Sequence, residues 1–247
     1  MFGRTIRSLL LSLGLVSGAA QATLYDRGSG LIYDDVLNIT WLQDANYAKT
    51  SGYDADGYMN WNDAQSWIAT LNNQNYRGFS NWRLPRANPV NGGTEYQLGL
   101  SYNGSLDYGY NITSPNNELA YLYYVTLQNV GIYDTSGGLQ PYADVWNKKF
   151  GPFAYSLHHN WYYWTGSVPD VAPHGAFTFH TGSGGADANH KSAELFAWAV
   201  RDGDVGPAPN TVPEPSTLAL ALLGLFGAAS LTANRKRVPR TQPALAR

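Results

Sequence analysis

The stretch GFSNWRLPRA, residues 78 to 87, places a tryptophan and a leucine on either side of an arginine. Successive side chains of a strand point to opposite faces, so Trp82 and Leu84 are predicted to share a buried face. Arg83 then points the other way, partly buried, and its five N–H groups need acceptors. We expect Arg83, and Arg201 at the end of the last predicted strand, to anchor loops through carbonyls or a carboxylate. A pair of ligand-binding arginines is the alternative interpretation.

A helix is predicted just before this stretch, in NWNDAQSWIATLNN, residues 60 to 73. Asn60 suits the N-cap because its side chain can accept a backbone N–H of the first turn, and Asp63 complements the positive end of the helix dipole. The apolar side chains that share one helical face are Trp61, Ala64, Ile68 and Leu71. The pattern therefore indicates an amphipathic helix packed on a core.

A second helix is predicted in SPNNELAYLYYVTLQNVG, residues 114 to 131. Ser114 would cap this helix, Pro115 suits its first position, and Gly131 would end it. The predicted buried stripe consists of Leu119, Leu122, Tyr123, Thr126 and Val130.

Short strands are predicted on both sides of the helices. Before them lie GLIYDD and ITWLQD, with Asp34, Asp35 and Asn38 in the turn between. After them lie WYYWTGS, GAFTFH and LFAWAVR, while residues 86 to 111, rich in Gly and Asn, are predicted to form a long loop. This order of elements indicates an α+β fold in which two helices pack on a looped, mainly antiparallel sheet.

The chain begins with the features of a secretory signal peptide, predicted for residues 1–22. Two arginines precede a short apolar core, and Ala20, Gln21 and Ala22 form an A-x-A site for cleavage before Thr23. The exported domain is predicted to span residues 23–205. It contains no cysteine, so it must be stable without disulfides.

The chain ends with an arrangement typical of a membrane-anchored tail. Residues 206–215 form a Pro-rich linker that closes with Pro213, Glu214 and Pro215. The uncharged segment that follows predicts a transmembrane helix over residues 216–234, since about 17 to 25 apolar residues cross a bilayer.

A basic cluster follows the apolar segment and predicts its orientation. Arg235, Lys236 and Arg237 open a tail, residues 235–247, that the positive-inside rule places in the cytoplasm. The domain itself would then lie on the outer side of the inner membrane. An ordinary single-span anchor with an incidental Pro-rich linker is the alternative interpretation.

Most of the positive charge lies in the two ends of the chain. Between residues 23 and 213 stand nine basic and seventeen acidic side chains, which gives the exported domain a net charge near −8. An acidic domain lacks the basic surface that nucleic-acid binding requires, and acidic polymers are unfavourable ligands for the same reason. All eight Trp and all 18 Tyr lie in this region, so neutral sugars, cations and proteins remain candidate ligands.

The sequence contains no recognisable catalytic motif. It has no cysteine nucleophile and no G-x-S-x-G elbow, and its five His show no zinc-ligand spacing. We therefore predict no catalytic residue, no bound metal and no cofactor, with calcium as the one open possibility. The oxygen-rich segment that suggests calcium contains Asp54, Asp56, Asn60, Asn62 and Asp63, but it lacks the closing Glu of an EF-hand loop.

Six segments, taken in order, resemble the Lcl C-terminal-domain-like family, a domain of unknown function. They are GLIYDDVLNITWLQDAN, WNDAQSWIATLN, GFSNWRLPRA, NELAYLYYVTLQN, GPFAYSLHHNWYYWTGS and AELFAWAVRDGDV. This resemblance implies a C-type-lectin-like fold, although the disulfides of true C-type lectins are missing here. Three places depart from the family pattern, and one of them is Gly175-Ala176-Phe177, where an Ala-Trp pair often opens the penultimate strand. Arg86 stands where the family usually has Thr, and Asp202 where it usually has Pro.

The tail resembles the PEP-CTERM sorting signal of Gram-negative bacteria, because a Pro-Glu-Pro motif, one apolar helix and a basic cluster occur in that order. This resemblance implies recognition by a membrane protease-transpeptidase, the exosortase, and cleavage near the motif. Family members with the domain pattern described above often carry such a tail.

Together these features predict an exported, exosortase-sorted surface or biofilm-matrix protein that is not an enzyme. Its precursor would be anchored in the inner membrane, and the mature domain would reach the cell surface or the medium. Polysaccharide is the candidate ligand. A secreted hydrolase that acts on extracellular polymer is the alternative hypothesis.

Overall fold

The computed structural model describes residues 22–154, 161–170 and 172–206 of the chain. Outside the described residues lie Ala20, the motif at 213–215, the predicted helix 216–234, the basic cluster 235–237, and His158 and His159. Within the described ranges, no helix is both long enough and apolar enough to cross a membrane.

The described chain is α+β, with few helices and two sheets rather than the single sheet that we predicted. The strands are β1 Leu24–Asp26, β2 Leu31–Asp34, β3 Ile39–Leu42, β4 Trp82–Arg83, β5 Leu100–Ser101, β6 Tyr108–Gly109, β7 Tyr162–Trp164, β8 Gly175–His180, β9 Gly185–His190 and β10 Val200–Asp202. The helices are α1 Tyr47–Thr50, α2 Trp61–Asn73, α3 Glu118–Tyr121 and α4 Tyr142–Trp146, with a 3₁₀ turn at Tyr76–Gly78.

The first sheet is antiparallel throughout and has the order β1-β2-β3-β10-β4. The predicted hairpin at its centre is confirmed, since β2 and β3 pair with Leu31 opposite Leu42. The Asp34 carboxylate accepts the N–H groups of Val36 and Leu37, and Asn38 takes the left-handed backbone conformation at φ 51°. Short polar side chains that bond to their own turn are what this geometry favours.

Helix α2 confirms the prediction for residues 60 to 73. The Asn60 side chain caps it by accepting the Asp63 N–H at 3.0 Å. Its buried side chains are Ala64, Trp67, Ile68 and Leu71. Trp67 therefore belongs to the buried face, whereas Trp61 is only half-buried.

The second predicted helix is shorter than its sequence pattern indicated. It starts at Glu118, capped by Asn117, whose side chain accepts the Ala120 N–H, while the Ser114 hydroxyl bonds to the Val90 carbonyl instead. After α3 the chain continues as one π-helical segment, Leu122–Thr126, and Gln128, at φ 53°, reverses it before Gly131. The hydrophobic periodicity of the sequence predicts neither the wider π-helical turn nor the left-handed backbone conformation of Gln128.

The second sheet has the order β5-β6-β9-β8-β7, and only its β5–β6 pair is parallel. Two of its strands come from the segment that we predicted to be a loop, residues 86 to 111, and β9 was not predicted. The predicted strand at 195–201 was too long, because only Val200–Asp202 forms a regular strand, although isolated bridges hold Leu195 and Phe196.

The hydrophobic core is dominated by aromatic side chains. Trp41, Trp198 and Phe153 pack together, with the two indole rings 4.8 Å apart between centroids. Tyr163 and Trp164 of β7 are fully buried beside them. Large rings supply much apolar area per residue, which suits a domain without disulfides.

Candidate functional site

Arg83 is an anchor between three separate parts of the chain. Its Nη1 and Nη2 donate to the two Glu118 carboxylate oxygens at 2.7 and 2.8 Å. Nη2 also bonds Asp202 at 2.5 Å, and Nη1 bonds the Leu84 carbonyl at 3.1 Å. The guanidinium therefore ties β4 to α3 and β10, which confirms that Arg83 donates to a carboxylate and a carbonyl.

Arg201 makes a separate set of contacts. Its guanidinium lies 4.2 Å from the Phe79 ring centroid and donates to the Asn81 side chain at 2.9 Å. In the β10–β4 pair, Arg201 lies opposite Trp82 whereas Arg83 lies opposite Val200. Because neighbouring residues of a strand face opposite sides of a sheet, the two arginines do not converge on a common site.

A hollow of about 340 Å³ lies beside Arg83 and Arg86, lined by polar side chains that include Gln65, Asn88 and Ser167. Arg86 uses both terminal nitrogens to bind Asp202, at 3.1 and 3.0 Å. Both guanidiniums are thus neutralised by carboxylates, and this hollow offers little charge to a ligand.

A groove with a different character lies on the second sheet. It encloses about 170 Å³ and is lined by Leu100, Tyr108, Gly109, Tyr110, Tyr162, His180, Ser183, Gly185, Ala186 and Asp187. We call this the tyrosine groove. Rings, hydroxyls and one carboxylate converge in it, which is the combination expected of a small-ligand site.

The register of the sheet brings the groove residues together. Tyr162 of β7 lies opposite His180 of β8, and their rings stack with centroids 4.2 Å apart at 25°. Gly109 of β6 lies opposite Ala186 of β9. Gly109 has φ 111°, and a Cβ there would lie 1.9 Å from the Ser101 carbonyl oxygen, so only glycine allows this close approach.

The His180 ring is oriented by Ser183. The Ser183 backbone N–H donates to Nδ1 at 3.3 Å, and the Ser183 hydroxyl lies 2.6 Å from the same nitrogen. The ring that backs Tyr162 is thus fixed in orientation.

The groove tyrosines are held in their protonated form. Burial, followed by the negative charge of Asp187, raises the pKa of Tyr108 and of Tyr162 above the ordinary value. Burial also raises the pKa of Tyr110. At neutral pH these hydroxyls are therefore uncharged and can both donate and accept hydrogen bonds.

More tyrosines support the groove from behind. Tyr102 and Tyr133 pack on Tyr110, with ring centroids 6.0 and 4.8 Å from it. Tyr102, Tyr108 and Tyr110 were not predicted to belong to a site because SYNGSLDYGYN was interpreted as loop. The spacing of Tyr108 and Tyr110 is the signal that it contained, since residues two apart on a strand share a face.

The proposed calcium segment uses its oxygens within the chain. The Asp54 carboxylate accepts the N–H groups of Asp56 and Gly57, and the Asp56 carboxylate accepts that of Tyr58. Asn60 caps α2. In the described part of the chain, no three His, Asp or Glu side chains stand close enough to hold a metal ion.

The predicted signal-peptide cleavage point lies between the first two described residues, Ala22 and Thr23. The Thr23 N–H donates to the Asp35 carboxylate at 2.8 Å, and Ala22 is buried. Cleavage before Thr23 stays a prediction, as do the sorting motif, the basic cluster and the domain boundaries.

Comparison with protein families gives two matches. The model of the Lcl C-terminal domain matches residues 30–201, and that of the PEP-CTERM protein-sorting motif matches residues 211–237. No curated protein and no solved structure matches the chain, so the C-type-lectin-like likeness stays a prediction. The sorting motif indicates an exported protein that an exosortase recognises and whose membrane-anchored precursor is processed. The chain belongs to the Lcl C-terminal domain family and carries a PEP-CTERM sorting motif at its end.

Proposed function

We propose that this protein is a non-catalytic surface protein that binds polysaccharide in the tyrosine groove. The observation that supports this function is the partly exposed Tyr162 ring, 37% accessible and backed by His180, beside the hydroxyls of Tyr108 and Tyr110. An exported, sorted protein meets extracellular polymers first, so such a ligand is consistent with the sorting motif.

The groove has the chemistry that a sugar ring requires. The C–H face of a pyranose would pack on the Tyr162 ring, which His180 holds in place from the other side. The protonated tyrosine hydroxyls, Ser183 and Asp187 would bond the sugar hydroxyls, which are both donors and acceptors. A volume of about 170 Å³ suits one ring rather than a longer stretch of chain.

The same groove gives little support to a hydrolase. Glycoside hydrolysis normally needs two carboxyl groups about 5 to 9.5 Å apart, one as acid and one as nucleophile or base. Asp187 is the single carboxylate among the described residues that line the groove. Binding without turnover is therefore the function that we propose.

Replacing Tyr162 by alanine is expected to weaken polysaccharide binding at least tenfold, because the stacking surface is lost while the fold is retained. Binding to a panel of neutral oligosaccharides would be measured by calorimetry, together with thermal melting. Tyr53, 41% exposed and outside the groove, provides the matched control variant Tyr53→Ala. Equal binding by Tyr162→Ala and wild type would contradict the proposed site, and turnover of any oligosaccharide would favour the hydrolase.

The mature protein is expected to begin at Thr23 and to end near Glu214. Signal peptidase would cut after Ala22, and the sorting enzyme would cut at the Pro-Glu-Pro motif. Mass analysis of both ends, with cell fractionation, would test this in a host that has the sorting enzyme. Replacing Arg235, Lys236 and Arg237 together by alanine should stall the processing of the precursor or reverse its orientation in the membrane. A mature protein that keeps Arg247 and stays in the inner membrane would contradict sorting and would show that the tail is an ordinary membrane anchor.

A further inference from the structure

We propose that the tyrosine groove prefers sugar rings that carry a free amine, as in a partly de-N-acetylated hexosamine polymer, and that Asp187 is the residue that selects them. This inference rests on the proposed polysaccharide function and specifies its ligand. It concerns the negative charge of Asp187, which distinguishes cationic from neutral sugar rings. The uncharged tyrosine rings do not make this distinction.

Asp187 presents its carboxylate to the groove and has no cationic partner there. It lies on β9, is exposed, and lines the cavity with Tyr108 and Tyr162. One of its oxygens accepts the Ala188 N–H at 2.8 Å. Among the described residues, no Lys, Arg or His lies within 4.0 Å to form an ion pair with it. The other oxygen has no protein donor among the hydrogen bonds of the described chain.

The negative charge of Asp187 affects the Tyr108 and Tyr162 rings, which a bound sugar would contact. Its Coulomb interaction raises the pKa of both Tyr108 and Tyr162, after the larger effect of burial. A ligand placed between these rings would feel the same negative potential. An ammonium group on the sugar would therefore be attracted, and the charge-assisted hydrogen bond that it makes is stronger than one from a hydroxyl.

The rest of the groove does not offset this charge. Its lining contains no Lys and no Arg, and its one imidazole accepts the Ser183 backbone N–H at Nδ1. The exported domain as a whole is also acidic, with a net charge near −8. Uronic acid polymers would thus be repelled both at the site and by the field of the domain. A metal ion is a poor alternative occupant, because one carboxylate gives it too few ligands.

The test compares three oligosaccharides of equal length: glucosamine, N-acetylglucosamine and galacturonic acid hexamers. In one mildly acidic buffer of low salt, the wild type should bind the glucosamine hexamer about fivefold more tightly than the N-acetylglucosamine hexamer, in the range expected for an exposed charge pair. The galacturonic acid hexamer should bind most weakly. Asp187→Asn should remove the preference for the amine while it leaves the affinity for the N-acetylated hexamer within about twofold.

Two further variants separate the possible outcomes. Glu194→Gln removes the same unit of charge from an exposed position outside the groove, so it should retain the preference. Tyr162→Ala should weaken the binding of both hexosamine hexamers.

Equal binding of the two hexosamine hexamers by the wild type, or an unchanged preference in Asp187→Asn, would overturn the role of Asp187 and leave the polysaccharide function standing. Failure of the wild type to bind any hexamer, or any neutral oligosaccharide, would overturn the proposed function itself.

Discussion

Replacing Arg83 by methionine is expected to lower the free energy of unfolding by about 3–5 kcal/mol. The Glu118 side chain is only 8% exposed and depends on Arg83 for two of its hydrogen bonds, at 2.7 and 2.8 Å. Methionine keeps much of the apolar stem but removes the charge, so Glu118 would be left buried without its main cationic partner. Chemical denaturation of the folded domain measures this loss directly.

Two other variants test whether the buried charge is the cause. Arg86→Met removes an arginine that is 45% exposed and pairs mainly with Asp202, so it should cost less than about 1 kcal/mol. The double variant Arg83→Met/Glu118→Leu should recover part of the loss, because no uncompensated carboxylate remains. Recovery will be incomplete, since Glu118 also accepts the Arg86 N–H at 2.8 Å. A double variant as unstable as the sum of both single variants would show that the loss is not a matter of buried charge.

Two of the departures from the family pattern, Arg86 and Asp202, compensate each other. Arg86 and Asp202 are the residues that differ from the usual Thr and Pro, and they form a bidentate ion pair at 3.1 and 3.0 Å. Asp202 also accepts a hydrogen bond from Arg83. The Arg86–Asp202 pair therefore extends the hydrogen-bond network around Glu118 instead of disrupting it. The departures therefore do not argue for a different architecture at this end of the fold.

Local patterns in the sequence predicted the elements that local interactions determine. The cap of α2 by Asn60 and the hairpin turn at Asp34 are made by residues a few positions apart, and both predictions are confirmed. The placement of Trp82 and Leu84 in the core followed from strand alternation in the same way.

Elements that depend on distant partners were predicted poorly. Strands β5 and β6 contain two residues each, and β6 pairs with β9. The only apolar side chains of β9, GADANH, are the small ones of Ala186 and Ala188, which give a weak strand pattern. The tyrosine groove is built on those strands. Its residues therefore could not be assembled from the sequence, because the abundance of tyrosine suits an aromatic core as well as a surface that contacts sugars or proteins.

Replacing Trp82 by alanine is expected to destabilise the domain by about 3–5 kcal/mol, the usual cost of deleting a large buried ring. Trp82 is 2% exposed and packs against Tyr76 and Phe79. Its indole N–H donates to the Tyr76 carbonyl at 3.1 Å, and Asn72 of α2 bonds its backbone N–H and carbonyl. The ring thus fills the contact between α2 and the edge of the first sheet, and alanine would leave a cavity there.

The control for this variant is Trp146→Ala. This tryptophan of α4 is 48% exposed, and among the described aromatic rings it contacts only Tyr142. Its removal should change the free energy of unfolding by no more than about 0.5 kcal/mol, as is usual for surface positions. Denaturant midpoints and unchanged m-values would establish that both variants unfold in the same two-state manner. If Trp82→Ala melted like the wild type yet lost oligosaccharide binding, Trp82 would be a ligand contact. The core of the first sheet would then have to be stabilised by the remaining aromatic cluster around Trp41 and Trp198.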